Sequence, residues 1–250
     1  VLLYMPRDRY NSDVRARIGE YLAERYGGRV SAYYPNFPEG DLVRVHFIIG
    51  RNGGPTPRPD RDDLERDIAS LTRSFGDRVV DAAPNPGEVA PYRDAFPPAY
   101  QSRTSPTAAL ADIGIFRELG AGVVLRLTPP VPGGETAALR FYHLGNPLAL
   151  SDRVPLLENF GFRVIDEETY TLAPQGGPEA YIHDMVLAPP ADVVLGAVGV
   201  VGRTEEALLA VWRGAAENDG FNQLTLTAGL AWSDVAVLRA FARYLRQLGL

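Results

Sequence analysis

Apolar and polar positions along this chain repeat one order of elements twice. The first copy reads as an apolar strand at Leu2–Pro6, a helix at Ser12–Tyr26, a Gly27-Gly28 stop, and strands at Val30–Tyr34 and Leu42–Ile49. The second reads as a strand at Ala138–His143, a helix at Ser151–Phe160, a stop at Gly161, and strands at Phe162–Tyr170 and Tyr181–Leu187. In the first helix Val14, Ile18, Tyr21 and Leu22 fall on one face, at the 3.6-residue period of an amphipathic helix. Asn11 or Ser12 can cap its start by accepting an orphan backbone N–H. Leu42–Ile49 alternates and then becomes fully apolar, as a central strand does.

Between and after the copies the pattern turns helical. Asp60 is placed to cap a helix with Leu64, Ile68, Leu71 and Phe75 on one face. Pro84, Pro86 and Pro91 break up the next stretch, and helical pieces resume at Tyr92–Ser102 and Pro106–Leu119. Val123–Leu127 and Ala138–His143 flank a Pro- and Gly-rich turn and predict a hairpin, although Val123–Leu127 could instead complete the first unit. Ser151 is expected to cap the helix of the second copy, with Pro155 harmless in its first turn. Thr204 and Ser233 are expected to cap two later helices, the last with Val235, Leu238, Phe241, Leu245 and Leu248 on one face. That tail carries more apolar surface than a terminal helix needs, and the chain opens inside an apolar segment; both suggest a piece of something longer.

Composition narrows the chemistry. The chain has 250 residues, 46% of them hydrophobic, enough for one or two cores. A net charge of -6 lacks the basic stripe of a nucleic-acid binder. There is no cysteine, so no disulfide or thiolate metal site, and no apolar run approaches the ~20 residues of a membrane helix. All 25 basic residues are arginine, so this chain supplies no catalytic, Schiff-base or phosphate-loop lysine.

The motifs are weaker than the pattern. His46, His143 and His183 each fall on a strand; Asp184 follows His183 but points to the opposite face, so ordinary strand histidines are expected rather than a metal site. Gly196, Gly199 and Gly202 have the wrong spacing for a dinucleotide loop and read as a connector. Asp166, Glu167 and Glu168 read as a solvated strand end. No G-x-S-x-G is present. Two strand-to-helix loops remain, Pro6–Asn11 and Leu144–Leu148. Glycine there lets a ligand approach the backbone, and the helix beyond it offers free N–H donors to a carboxylate. The same loops are equally simple tight connections, and Arg7, Asp8 and Arg9 could equally form an ion-pair network or an interface.

Several blocks resemble one family. Pro6-Arg7-Asp8-Arg9-Tyr10-Asn11, Arg44–Gly50, Tyr92 with Ala95-Phe96-Pro97 and Tyr100, Leu150–Asp152 with Pro155–Asn159, Arg163–Glu167, Ile182-His183-Asp184, Trp212-Arg213-Gly214 with Glu217–Asn222, and Leu238–Gln247 are similar, in order, to large-type bacterial NAD-specific glutamate dehydrogenases. The resemblance implies the non-catalytic region ahead of the dehydrogenase domain. It implies an α+β fold of two ACT-like (ferredoxin-like βαββα) units with antiparallel sheets, joined and followed by helical segments. The expected division is a first ACT-like domain at 1–83, a helical connector at 84–121, a second ACT-like domain at 122–200 and a helical segment at 201–250. The stretch Val193–Val201 is more apolar than the family pattern leads one to expect, and the first unit lacks an obvious fourth strand.

The implied parent reaction is oxidative deamination of L-glutamate by NAD to 2-oxoglutarate and ammonia. Catalytic residues, metal and cofactor sites are expected to be absent from this stretch, with NAD held by the parent's catalytic domain. The implied role is regulation and assembly in the cytoplasm, with the catalytic domain, other subunits of a homo-oligomer and an amino-acid effector as partners, and no nucleic acid or membrane. A purely structural scaffold without a ligand is the alternative. The candidate ligand residues are Gly145, Asn146 and Asp152.

Overall fold

A computed structural model describes residues 1–120 and 122–249, which fall into two compact units, Val1–Asp81 and Ala82–Leu250. The fold is α+β with two antiparallel sheets, as the repeated pattern predicts.

The first unit runs β1 (Leu2–Pro6), α1 (Ser12–Arg25), β2 (Arg29–Asn36), β3 (Leu42–Gly50), α2 (Arg61–Leu71) and α3 (Phe75–Ala82). Its sheet has the order β1-β3-β2, with β3 in the middle. Successive strand residues point to opposite faces, so Met5, Val43, Val45 and Phe47 turn inward onto Val14, Ile18 and Leu22 of α1 and Ile68 of α2. Asn11 caps α1, its Oδ1 accepting from Val14 N at 2.8 Å, and Asp60 caps α2 by accepting from Asp62 and Asp63. The helix from Asp60 ends at Leu71, so Phe75 belongs to a separate helix rather than to the stripe of Leu64 and Ile68. The other sheet face is bare: Leu2, Tyr4, Tyr34, Leu42 and Ile48 are all exposed there around His46. Among the described residues no fourth strand joins this sheet.

The second unit runs α4 (Pro86–Val89), α5 (Pro98–Arg103), α6 (Pro106–Glu118), β4 (Val123–Thr128), β5 (Ala137–Leu144), α7 (Leu150–Asn159), β6 (Arg163–Leu172), β7 (Ala180–Ala188), α8 (Val200–Trp212), α9 (Leu224–Thr227) and α10 (Trp232–Gln247). The sheet order is β4-β5-β7-β6. Val123–Leu127 therefore pairs with β5 as a hairpin and does not complete the first sheet. A ferredoxin-like unit closes with a strand after its second helix; here the same edge is filled by a strand that precedes the unit.

Both faces of this sheet are covered, which is why β5 and β7 read as nearly continuous apolar runs. On one face Leu125, Leu139, Phe141, Met185 and Leu187 pack on Leu156, Leu157 and Phe160 of α7 and Leu208 of α8. On the other, α6 is fastened by Asp112, which is 4% exposed and accepts from Tyr142 Oη at 2.8 Å and Tyr100 Oη at 2.6 Å. Arg140 bridges this carboxylate, at 3.5 Å, to Asp184.

Several helix starts differ from the sequence expectation. α7 begins at Leu150 with Ala149 as its N-cap, so Ser151 lies in the first turn and Pro155 lies inside the helix, where it cannot donate to the preceding turn. α8 begins at Val200 after Gly199, whose φ of +76° only glycine adopts easily; Thr204 is mid-helix and its hydroxyl donates to Val200 O at 2.7 Å. α10 begins at Trp232, one residue before Ser233. Tyr92 ends a short 3-10 turn, and the expected helix at Tyr92–Ser102 is reduced to α5. Of the α10 stripe only Val235 is buried; Leu238, Phe241, Leu245 and Leu248 are exposed. Arg239 anchors this helix instead, through Asp219 at 2.7 and 2.9 Å and Asn222 at 2.8 Å.

Candidate ligand-binding site

The loop between β5 and α7 starts at Gly145. Its φ is +98° and its N–H donates to Glu179 O at 2.9 Å, which ties the turn to the start of β7. No atom lies within 4 Å of where its Cβ would stand, so glycine is required by the backbone angle rather than by a close neighbour. Asn146 lines a pocket of about 520 Å³ together with Val123, His143, Leu148, Trp212 and Arg213. Asp152, two residues into α7, lines a smaller pocket of about 310 Å³ with Leu156, Val211, Trp212 and Asn218. The structure thus places Asn146 and Asp152 in two pockets that share Trp212, while Gly145 shapes the loop.

A buried polar chain backs the larger pocket. Register pairs His183 with Phe141 and His143 with Tyr181, which sets the two histidines diagonally on one face of the sheet. Their rings stack at 5.0 Å, and Nε2 of one lies 2.9 Å from Nε2 of the other. Thr169, opposite His183, places its hydroxyl 2.6 Å from His183 Nδ1 and donates to Glu167 at 2.7 Å. Glu167 accepts from Arg153 at 2.9 Å, and Arg153 also donates to Leu148 O at 3.1 Å. The end of the β5–α7 loop is therefore pinned to β6 through one buried guanidinium.

Burial lowers the His183 pKa to about 4, and the charge of Arg153 adds to the effect against the pull of Glu167. Burial also pushes His143 down. Burial pushes the Glu167 carboxyl up, but hydrogen bonds from Thr169 and Arg153 outweigh it and hold the group below the ordinary carboxylate range. Both rings are neutral at pH 7, so one Nε2–H donates to the other nitrogen. The acidic run 166–168 is thus part of β6, with Glu167 tied into a buried network and Glu168 ion-paired with Arg103 at 2.6 Å, rather than a solvated strand end.

Sequence reasoning reached the loop but not His143, His183, Arg153 or Arg213. The two histidines have the right parity for one face, yet only the register between β5 and β7 brings them together. Among the described residues no group of three His, Cys, Asp or Glu side chains converges as a metal site needs. No helix among them is long and apolar enough to cross a membrane.

Comparison with known proteins now bears on this geometry. Residues 1–76 match the family described as glutamate dehydrogenase, ACT2 domain, and residues 123–197 match glutamate dehydrogenase, ACT3 domain. Residues 89–119 match helical motif 2, and residues 216–250 match helical motif 3, of the same enzyme. The chain belongs to the glutamate dehydrogenase family, in its ACT2–ACT3 region. It is 36% identical to the NAD-specific glutamate dehydrogenase of Pseudomonas aeruginosa and 34% identical to that of Halomonas elongata, over 100% and 99% of this chain. The Mycobacterium tuberculosis protein of the same name is 29% identical over 99% of it. The chain spans only 16 to 17% of the length of these relatives. The β5–α7 loop and both buried histidines fall within the ACT3 match, and the helical motif 2 match contains α6, which covers the outer face of that domain's sheet.

Proposed function

We propose that this chain is the non-catalytic regulatory and assembly region of a cytoplasmic NAD-dependent glutamate dehydrogenase, and that its second sheet binds an amino-acid effector. The whole protein's reaction is taken to be conversion of L-glutamate, NAD and water to 2-oxoglutarate, ammonia and NADH. The family match over nearly the whole chain supports this reading, as does its small share of the relatives' length.

The residues of this chain do not fit NAD. Dinucleotide sites use a parallel sheet and a glycine turn between strand and helix; both sheets here are antiparallel, and Gly196–Gly202 leads from turns into α8. NAD and the reaction are assigned to the catalytic domain of the whole protein.

One observation carries the effector reading: two pockets of opposite polarity flank Trp212. Arg213 offers a cation in the larger, beside the Asn146 amide, and Asp152 offers a carboxylate in the smaller. Among the described residues Arg213 forms no ion pair. An α-amino acid carries both charges, its carboxylate suiting Arg213 and its ammonium group suiting Asp152. Regulation requires that this ligand bind two states of the enzyme with different affinity. The test is a thermal-shift panel of the protein with amino acids, 2-oxoglutarate and NAD. A ligand specific for the native state raises stability by about 2.7 kcal/mol at a hundredfold excess over Kd. A shift with one or two amino acids supports the reading, and a flat panel defeats it.

The second reading is a ligand-free scaffold for other subunits. It is favoured by the bare face of the first sheet, where Leu2 and Tyr34 are 60% and 59% exposed. Replacing Tyr34 and Ile48 by serine is expected to lower the oligomeric state, read by sedimentation, under either reading; only the amino-acid panel separates them.

A further inference from the structure

The two sheets share one plan and differ at one edge. In the second, β4 lies beside β5 and beneath α8, with Leu125 and Leu127 inside the core. In the first, β1 takes the place of β5 and α2 takes the place of α8, yet among the described residues no strand pairs with the outer edge of β1. A groove of about 590 Å³ runs there instead, lined by Leu3 and Met5 of β1, by Leu64, Ile68 and Ala69 of α2 and by Thr72 just beyond it.

The backbone along this groove is unpaired on one side. Val1 and Phe47 exchange both main-chain bonds at 2.8 Å. By the alternation of an antiparallel ladder, Leu3 and Met5 also turn their N–H and C=O toward β3. Leu2 and Tyr4 turn theirs to the open side, and Pro6, which has no N–H, closes the far end. An edge of this kind is a template for one more strand.

We infer that the groove is a strand slot, and that its occupant in the whole protein is the strand immediately preceding β1 in the chain. The second sheet supplies the precedent, since its slot is filled from the N-terminal side by a hairpin and the ACT3 match begins at that strand. The whole proteins of this family extend far beyond this chain, which spans 16% of the Pseudomonas aeruginosa relative. The occupant must alternate, with apolar side chains inward over Leu64 and Ile68, as Leu125 and Leu127 do beneath α8. In-register pairing satisfies the open N–H and C=O groups of Leu2 and Tyr4.

Hydrogen exchange by mass spectrometry on the full-length protein tests this. The amides of Leu2 and Tyr4 are expected to exchange slower than in an unstructured peptide by roughly two orders of magnitude or more, together with one short segment just before β1. Tyr4→Pro removes a donor only on the open side, and Ala69→Arg fills the groove from the helix. Either is expected to release the upstream segment while Leu3 and Met5 stay protected. Free-peptide exchange at Leu2 and Tyr4 in the intact protein overturns the inference. So does protection that disappears on dilution to single subunits, which would mark a second copy as the occupant. Protection that survives both variants overturns it as well.

Discussion

His143 Nε2 and His183 Nε2 stand 2.9 Å apart in the core of the second unit, with the Arg153 guanidinium held nearby by Glu167. The second unit is therefore expected to be acid-sensitive. His183 titrates at about 4 when folded and near 6.5 when unfolded. Its neutral form is the one the fold favours, so this contribution is complete above pH 6.5 and disappears as pH falls from 6.5 toward 4. It amounts to about 3 kcal/mol. Glu167 acts in the same direction, its contribution being present above its ordinary pKa and lost below it. A His183→Gln variant is expected to flatten the slope of stability against pH between 6.5 and 4, measured by denaturant unfolding at a series of pH values.

Asp112 holds α6 to the sheet through the Tyr142 hydroxyl and Arg140 of β5, and to α5 through the Tyr100 hydroxyl. Asp112→Ala removes the buried carboxylate that these groups share, and about 3 kcal/mol of stability is expected to be lost. Tyr142→Phe removes one hydroxyl and leaves Asp112 its other partners, and is expected to cost about 1 kcal/mol. Equal losses in urea unfolding would mean that Asp112 acts only through Tyr142.

Arg239 fixes α10 by a two-pronged bond to Asp219, whose carboxyl is held below its ordinary pKa by that contact despite burial. Lysine cannot reproduce a planar fork. Arg239→Lys is therefore expected to loosen α10 by about 2 kcal/mol, seen as faster proteolysis between residues 228 and 232. An unchanged cleavage rate would show that Val235 alone suffices to seat the helix.

The effector site is best probed at Asn146 and Arg213. Asn146→Ala and Arg213→Ala are each expected to remove an amino-acid-induced thermal shift while leaving the melting temperature of the free protein unchanged. Gly145→Val is a poor probe even though its surroundings are open, because a β-branched residue at φ +98° is strained by at least about 1 kcal/mol. A ligand shift that survives Arg213→Ala would place the carboxylate elsewhere.

Much of this architecture can be read from local pattern alone. The strands at Leu2–Pro6 and Leu42–Ile49, and the cap at Asp60, announce themselves because alternation and capping are short-range, whereas the choice of Asn11 over Ser12 as the cap of α1 is made only by the structure. The partner of Val123–Thr128 does not, since an apolar alternating strand suits either sheet and only packing against α8 decides. Ser151, Thr204 and Ser233 mislead for a related reason. Each has a carboxylate within the next two residues, as at a helix start, but apolar residues ahead of them join the helix once they can be buried or its backbone can continue. The histidine pair depends on the register of strands 40 residues apart, and no window of sequence contains that.

The placement of β4 before β5 also bears on how the second sheet is made during synthesis. Its outer edge strand leaves the ribosome ahead of the strand it protects, and the two are joined by a short loop. Local pairing of this kind forms early and at small entropic cost. β5 is consequently sheltered on that side before β7 and α8 have been translated, which removes a sticky intermediate that a strand added last would have left exposed to neighbouring nascent chains.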